Sequence, residues 1–216
     1  MKFKAVIFDL DGTLLNTIDD LANSMNAVLE RSGYPTHGND SYKYFVGDGL
    51  RNLVKRALPE NKKDDTSVDL YLAELKTEYG KRWDEKTRPY EGITELLDAL
   101  TARGLKLAVL SNKVDNMTQL VISRLLSNWH FDIVAGEKAG VPRKPDPAGA
   151  LKIAEQLAIK PEEILYLGDT NVDMQTAMSA GMYAVGVLWG FRQADELIKG
   201  GARILISKPE VLLDIL

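Results

Sequence analysis

Short apolar segments rich in β-branched residues alternate with longer segments of helical periodicity along most of the chain, and this alternation limits the possible folds. Repeated strand-helix-strand order is typical of a parallel sheet that helices cover on both faces. The predicted strands comprise residues 3–8, 105–110, 133–135, 164–167, 183–187 and 203–206. The predicted helices between them comprise residues 93–103, 117–126, 147–157 and 173–180. We therefore predict an α/β fold with a Rossmann-like parallel sheet.

The stretch 18–88 interrupts this order, because it contains amphipathic helical patterns and no comparable strand. The helical patterns cover residues 21–31, 49–58 and 68–83. Turn-forming sequences containing Gly, Pro or Asn lie at its joints. We predict a core domain formed by residues 1–17 and 89–216, with residues 18–88 inserted as an α-helical cap domain.

Composition and charge exclude several classes of function. The chain has no cysteine, which excludes disulfides, thiol nucleophiles and cysteine-based metal sites. Its net charge is -4 and it has no long basic run, so a nucleic-acid partner is not expected. The apolar run 5–8 stops at Asp9 and is too short for a signal sequence or a membrane span. We expect a cytoplasmic protein without a membrane partner, either a monomer or a homodimer.

Polar residues follow several of the predicted strands. Ligands of open parallel sheets bind beyond the carboxyl ends of the strands, so these residues are candidates for one site. They are Asp9, Asp11, Gly12 and Thr13 after the first strand, Ser111, Asn112 and Lys113 after the second, Asp169 and Asp173 after the fourth, and Lys144 in the loop before the helix at 147–157.

These motifs are Asp-x-Asp-Gly-Thr, a strand-ending Ser-Asn, a loop Lys before Pro, and Gly-Asp-x-x-x-Asp, and in this order they resemble the four motifs of the haloacid dehalogenase superfamily. The resemblance spans nearly the whole chain. It implies a phosphatase in which Asp9 attacks phosphorus to form an aspartyl-phosphate and Asp11 acts as general acid and base. It also implies that Asp9, the Asp11 carbonyl and Asp169 hold Mg²⁺, a cation that prefers oxygen ligands.

The resemblance implies roles for the remaining residues as well. Lys144 would supply positive charge, and Asp173 would orient Lys144 or metal-bound water. In the substrate-binding set, Ser111 and Asn112 would donate hydrogen bonds to phosphoryl oxygens, while Lys113 either binds an anionic substrate or is solvated. The other members of that set are Gly12 and Thr13 in the first turn, and Gly49 and Arg51 in the insertion, where Arg51 either pairs with a small carboxylate or is solvated.

Finer features favour hydrolysis of a phosphate ester. Asp11 argues against a dehalogenase, whose reaction needs no protonation of an ester oxygen, and Gly12-Thr13 differs from the Gly-Val of similar phosphomutases. Residues 45–50, 88–92, 111–113, 143–145 and 187–191 resemble phosphoglycolate phosphatases. We therefore expect a small phosphorylated metabolite, 2-phosphoglycolate, as substrate. A pyrophosphatase, a nucleotidase or sugar phosphatase, a β-phosphoglucomutase-like mutase and a non-enzymatic phosphate-dependent regulatory module remain as alternatives.

Overall fold

The computed structural model describes residues 2–216, and the chain divides into two compact units. One unit comprises the residues up to Leu15 together with Pro89–Leu216, and the other comprises Asn16–Arg88. The strands are β1 (Ala5–Phe8), β2 (Leu15–Asn16), β3 (Arg88–Pro89), β4 (Lys106–Val114), β5 (Ile133–Glu137), β6 (Ile164–Gly168), β7 (Tyr183–Val187) and β8 (Ile204–Ile206). The α-helices are α1 (Ile18–Arg31), α2 (Asn39–Phe45), α3 (Leu50–Ala57), α4 (Asp65–Arg82), α5 (Ile93–Ala102), α6 (Asp115–Leu125), α7 (Ala148–Leu157), α8 (Asn171–Ser179) and α9 (Ala194–Gly200).

The first unit contains a six-stranded sheet with the order β5-β4-β1-β6-β7-β8, and every neighbouring pair is parallel. All four residues of β1 and all five residues of β6 are buried. Such strands are apolar on both faces because helices cover both sides of the sheet. The predicted α/β fold with a parallel sheet is confirmed.

The strand order brings together the segments that carry the candidate site residues. Strands β4 and β5 lie on one side of β1, and the later strands β6, β7 and β8 lie on its other side. The carboxyl ends of β4, β1 and β6 are therefore neighbours at the point where the order reverses, which is where open α/β sheets bind ligands.

Strand β4 is longer than the sequence predicted and contains Ser111, Asn112 and Lys113. Its register against β5 shifts there, because Leu110 pairs with Ala135 whereas Val114 pairs with Glu137. Four steps along β4 thus correspond to two steps along β5. A bulge of this kind changes the direction of the side chains it contains.

The second unit is helical and contains α1 to α4. Helix α1 packs against α4, and its buried residues Leu21, Met25 and Leu29 recur at intervals of four, which places them on one face. Helices α1, α3 and α4 correspond to the three helical patterns in the sequence, whereas the seven-residue α2 was not predicted. Within residues 2–216, no helix is both long enough and apolar enough to cross a bilayer.

The beginning and the end of the helical unit are joined by Asp20. Its carboxylate is completely buried and accepts hydrogen bonds from the Thr87 N–H at 2.8 Å, the Thr87 hydroxyl at 2.7 Å and the Lys86 N–H at 3.0 and 3.1 Å. These bonds satisfy the buried charge. The flanking strands β2 and β3 pair as a small separate sheet.

Candidate active site

Asp9 lies immediately after β1, and its backbone remains attached to the sheet. Its N–H donates to the Leu167 carbonyl on β6 at 2.9 Å, and 7% of the residue is exposed. The chain then turns at Gly12, whose φ of +95° favours glycine. A Cβ atom at Gly12 would lie 2.3 Å from Asp169 Oδ2, so no side chain fits between the turn and Asp169.

Lys144 links two of the predicted carboxylates. Its ammonium lies 2.7 Å from Asp9 Oδ1 and 2.7 Å from Asp173 Oδ1, and its side chain is 3% exposed. Burial opposes its charge, but the Asp173 and Asp9 carboxylates outweigh burial and raise the pKa of Lys144 well above its usual value. Lys144 is therefore a permanently charged group between two acids.

Asp169 and Asp173 follow β6 and are held by different partners. The completely buried Asp169 accepts a hydrogen bond from the Thr13 hydroxyl at 3.2 Å and another from the Phe191 N–H at 2.8 Å. Asp173 lies in the first turn of α8, where its Oδ2 accepts from the Thr170 N–H at 3.1 Å and the Thr170 hydroxyl at 2.6 Å. This capping box fixes Asp173 while its other oxygen accepts from Lys144.

The carboxylates of Asp9, Asp169 and Asp173 form a cluster that could hold a metal ion, since one oxygen of each lies within 4.8 Å of the others. Burial and the Asp173 charge raise the pKa of Asp9 to about 7, although Lys144 opposes this. Burial and the Asp9 charge raise the pKa of Asp169 well above its usual value. Three carboxylates beside one ammonium leave an excess of negative charge, and a hard divalent cation with oxygen ligands fits this set.

The shifted register of β4 places Lys113 beside Asp11. The Lys113 ammonium lies 3.0 and 3.2 Å from the two Asp11 carboxylate oxygens, and the side chains are 4% and 13% exposed. The Lys113 N–H donates to the Ser111 hydroxyl oxygen at 3.1 Å, so the Ser111 O–H is still able to donate to another group. Asn112 instead binds the backbone of Lys144 through both of its amide atoms.

Gly49 and Arg51 belong to the helical unit. Gly49 precedes α3 with a φ of +93°, and Arg51 lies in the first turn of that helix. The Arg51 guanidinium lies 3.0 Å from an Asp65 oxygen and 3.2 Å from an Asp69 oxygen on α4. Arg51 therefore forms ion pairs within its own unit. Pairing with a substrate carboxylate and solvation were the two expectations from the sequence, and neither included these partners.

The loop after β7 was not predicted to belong to the site. Its Trp189 side chain donates to the Thr13 carbonyl at 2.9 Å, and its Phe191 N–H donates to Asp169. A Cβ atom at Gly190 would lie 2.3 Å from Asp169 Cβ and 2.4 Å from the Gly12 carbonyl oxygen. The sequence signal was present, because this loop follows a strand of the same parallel sheet and therefore lies at the same edge.

Comparison with known proteins agrees with this architecture. The family described as haloacid dehalogenase-like hydrolase matches residues 6–187. A phosphoglycolate phosphatase from Chromobacterium violaceum is 31% identical over 99% of this chain and 96% of its own length. A crystal structure assigned as a phosphoglycolate phosphatase from Lactobacillus delbrueckii is 31% identical with a TM-score of 0.92, and the match covers 100% of this chain and 98% of that one.

A second solved structure has the same fold and is named for a different reaction. It is assigned as a β-phosphoglucomutase from Thermotoga maritima and is 25% identical with a TM-score of 0.79, covering 99% of this chain and 100% of that one. The matched residues 6–187 include three of the four residues of β1, the whole of β4 and β6, and all four sequence motifs. The chain belongs to the haloacid dehalogenase-like hydrolase family.

Proposed function

We propose that this protein is a Mg²⁺-dependent phosphatase that hydrolyses a small phosphate monoester, 2-phosphoglycolate, through an aspartyl-phosphate intermediate. The observation that carries the proposal is the position of the Lys144 ammonium, 2.7 Å from both Asp9 and Asp173, within a cluster of buried acids at the sheet edge. Phosphoryl transfer depends on positioning and charge neutralisation, and these residues supply both.

Asp9 is the proposed nucleophile. One of its carboxylate oxygens bonds to phosphorus as the bond between phosphorus and the leaving alcohol oxygen breaks. Lys144 reduces the repulsion between this carboxylate and the substrate phosphate, since its charge lies at hydrogen-bond distance from Asp9. When bound by Asp9, the Asp11 carbonyl and Asp169, Mg²⁺ would neutralise further negative charge.

Asp11 is the proposed proton carrier for both halves of the reaction. In its neutral form it gives a proton to the leaving oxygen, and the resulting carboxylate then removes a proton from the water that attacks the aspartyl-phosphate. Inorganic phosphate leaves and Asp9 is restored. Lys113 holds the Asp11 carboxylate by its ion pair, which is the ionised state in which Asp11 acts as base. The neutral form that acts as acid requires this ion pair to open.

Three side chains are proposed to support the transferred phosphoryl group, the metal and Lys144. The Ser111 O–H would donate a hydrogen bond to a phosphoryl oxygen. This hydrogen bond would become more stabilising as negative charge develops on that oxygen during transfer. The Thr13 hydroxyl holds Asp169 and thereby orients a metal ligand, while Asp173 orients Lys144.

The choice of 2-phosphoglycolate is supported by the names of relatives. Proteins named phosphoglycolate phosphatase from Aquifex aeolicus and Chromobacterium violaceum match 99% of this chain at 29% and 31% identity.

We propose that the helical unit is a cap that selects the leaving group, with Gly49 shaping the start of α3. Arg51 would exchange an aspartate of α4 for the carboxylate of glycolate.

A panel of phosphate esters tests the function directly. Purified protein is incubated with 2-phosphoglycolate, sugar phosphates, nucleotides, pyrophosphate and an aryl phosphate, with Mg²⁺ present or removed by a chelator. Release of inorganic phosphate from 2-phosphoglycolate with the highest kcat/KM, and only when Mg²⁺ is present, is the expected result.

The same panel separates the alternatives. A higher kcat/KM for pyrophosphate, a nucleotide or a sugar phosphate would move the substrate assignment to that class. Conversion of a hexose 1-phosphate into its 6-phosphate would indicate mutase chemistry, the reaction for which the Thermotoga maritima relative is named. A protein that binds phosphate but hydrolyses none of the compounds would be a regulatory binding module.

A further inference from the structure

Asn112 binds both backbone groups of Lys144. Its amide nitrogen donates to the Lys144 carbonyl at 3.1 Å, and its amide oxygen accepts the Lys144 N–H at 3.0 Å. Both residues are buried, with 7% and 6% of their surfaces exposed. The Asn112 side chain thus pairs with both the N–H and the carbonyl of Lys144, as the backbone of a neighbouring strand would do.

Packing around the Lys144 loop is incomplete. The loop borders a cavity of about 350 Å³ whose wall includes Arg143, Lys144 and Asp146. A loop beside an open space loses contacts that would otherwise fix its backbone. The two hydrogen bonds with Asn112 therefore contribute more to fixing the Lys144 backbone than they would in a closely packed core.

The position of the Lys144 backbone determines whether its ammonium can bind two acids at once. Both distances, to Asp9 Oδ1 and to Asp173 Oδ1, are 2.7 Å. A displacement of about 1 Å at a positioned group can cost a reaction about 100-fold in rate. The geometry at Asp9 is thus sensitive to whatever fixes the loop.

We infer that Asn112 is a positioning residue, which acts on phosphoryl transfer by fixing the backbone from which Lys144 reaches Asp9. The sequence suggested a different role, in which Asn112 donates directly to phosphoryl oxygens. The inference rests on the proposed function, because it assigns Lys144 a part in the reaction. It extends that function by naming a residue that acts through Lys144.

Hydrogen exchange and a double-mutant cycle test this inference. The exchange rate of the Lys144 amide is measured by NMR in the wild-type protein and in Asn112→Ala, and phosphate release is measured in both. Asn112→Ser is a second variant, since its small polar side chain fits the site but cannot span both Lys144 groups. Gln119→Ala is the matched control, because the Gln119 amide also donates to a backbone carbonyl, that of Val134 at 2.7 Å, at an exposed position.

We expect exchange of the Lys144 amide to be at least about tenfold faster in Asn112→Ala and Asn112→Ser, and unchanged in Gln119→Ala. We expect kcat to fall by about 10- to 100-fold with KM changed by less than about threefold. In a Lys144→Ala background the same Asn112 substitution should cost less than about twofold, because the group it positions is absent.

Two results would overturn the inference. An unchanged exchange rate at Lys144 would show that Asn112 does not hold the loop, and losses that multiply in the double variant would show that Asn112 acts on the phosphoryl group directly. If the wild-type protein hydrolyses no phosphate ester, the proposed function fails. The exchange rates alone would then decide whether Asn112 fixes Lys144.

Discussion

Lys113 and Asp11 form an ion pair in which one ammonium contacts both oxygens of one carboxylate, at 3.0 and 3.2 Å. Both side chains are largely buried, so solvent screens the pair much less than it would a pair on the surface. The proposed proton carrier is therefore anchored to the end of β4, whereas the proposed nucleophile is anchored by Lys144.

This anchoring predicts that Asp11→Asn keeps the fold and loses proton transfer. The amide oxygen of the variant can still accept a hydrogen bond from Lys113, but the amide cannot protonate a leaving oxygen. We expect kcat for an alkyl phosphate to fall by about 10²- to 10⁴-fold. Rates for aryl and alkyl phosphates are compared, and an equal deficit for both would contradict the assignment because a good leaving group needs little protonation.

Asp9→Asn should abolish phosphate release and weaken Mg²⁺ binding. The amide is a poor nucleophile and removes one negative charge from the acidic cluster. Single-turnover phosphate release and calorimetric titration with Mg²⁺ measure the two effects. Asp98→Asn is the control, since Asp98 lies outside the site and accepts a hydrogen bond from the Trp129 side chain. Turnover by Asp9→Asn at the wild-type rate would exclude Asp9 as the nucleophile.

Gly190→Ala should lower both stability and activity. The added methyl group would lie 2.3 Å from Asp169 Cβ and 2.4 Å from the Gly12 carbonyl oxygen, so Asp169 must move. We expect the free energy of unfolding to fall by about 1–3 kcal/mol. Gly80→Ala in α4 is the control, because a Cβ atom there meets nothing within 4 Å and alanine favours the helix by about 0.5–1 kcal/mol. Wild-type Mg²⁺ affinity in Gly190→Ala would show that Asp169 tolerates the methyl group.

Arg51→Ala tests the proposed recognition of a substrate carboxylate. We expect KM for 2-phosphoglycolate to rise far more than KM for a phosphate ester without a carboxylate, because the charged partner is lost. Arg56→Ala is the matched control, since Arg56 lies on the same helix and forms an ion pair with Asp48 at 2.6 Å. Equal increases for both substrates, or the same selectivity change in Arg56→Ala, would remove Arg51 as the specificity residue.

Glu78→Gln should make the stability of the helical unit depend less on pH. Burial alone would raise the pKa of Glu78, but the Arg31 hydrogen bond and the charges of Lys81 and Arg82 outweigh it and lower the pKa. A lowered folded-state pKa means that Glu78 contributes its full stabilisation above the unfolded value, about 4.3, and loses it as pH falls through the folded value.

The expected result is a loss of about 1–3 kcal/mol in the free energy of unfolding of Glu78→Gln at pH 7. The difference from the wild-type protein should shrink as pH falls from the unfolded pKa, about 4.3, through the lower folded pKa, because Glu78 is then neutral in both folded and unfolded chains. Denaturant unfolding at several pH values measures it. Glu74→Gln, one turn earlier on α4, serves as the control, and a Glu78→Gln deficit that stays constant down to pH 2 would contradict the charge-based explanation.

The sequence predicted the sheet because its strands are short, apolar and bounded by turn residues. Asp9 and Asp169 were predicted as site candidates for the same reason, since each directly follows a buried strand and such positions meet at one edge. The contacts of Asn112 and Lys113 were not predictable in this way. They depend on the two extra residues of β4 opposite β5, and strand periodicity alone does not locate such a bulge.

The ion pairs of Arg51 depend on a different kind of information. Arg51 and its partners Asp65 and Asp69 lie on separate helices, and their contact requires the relative position of α3 and α4. Amphipathic periodicity identifies each helix but does not fix how two helices are placed against each other. Sequence reasoning could therefore name Arg51 as a candidate without finding its partners.

The hydrogen bonds between Asp20 and Thr87 lower the entropic cost of connecting the sheet through the helical unit. They join the start of the helical unit to its end. The two points at which the unit connects to the rest of the chain are therefore held together by residues of the unit itself. The entropic cost of closing a flexible loop rises by only about 0.6 kcal/mol for each doubling of its length, and a preassembled insert acts as a much shorter loop. The sheet is therefore closed across this unit at a smaller entropic cost than across a flexible loop of the same length.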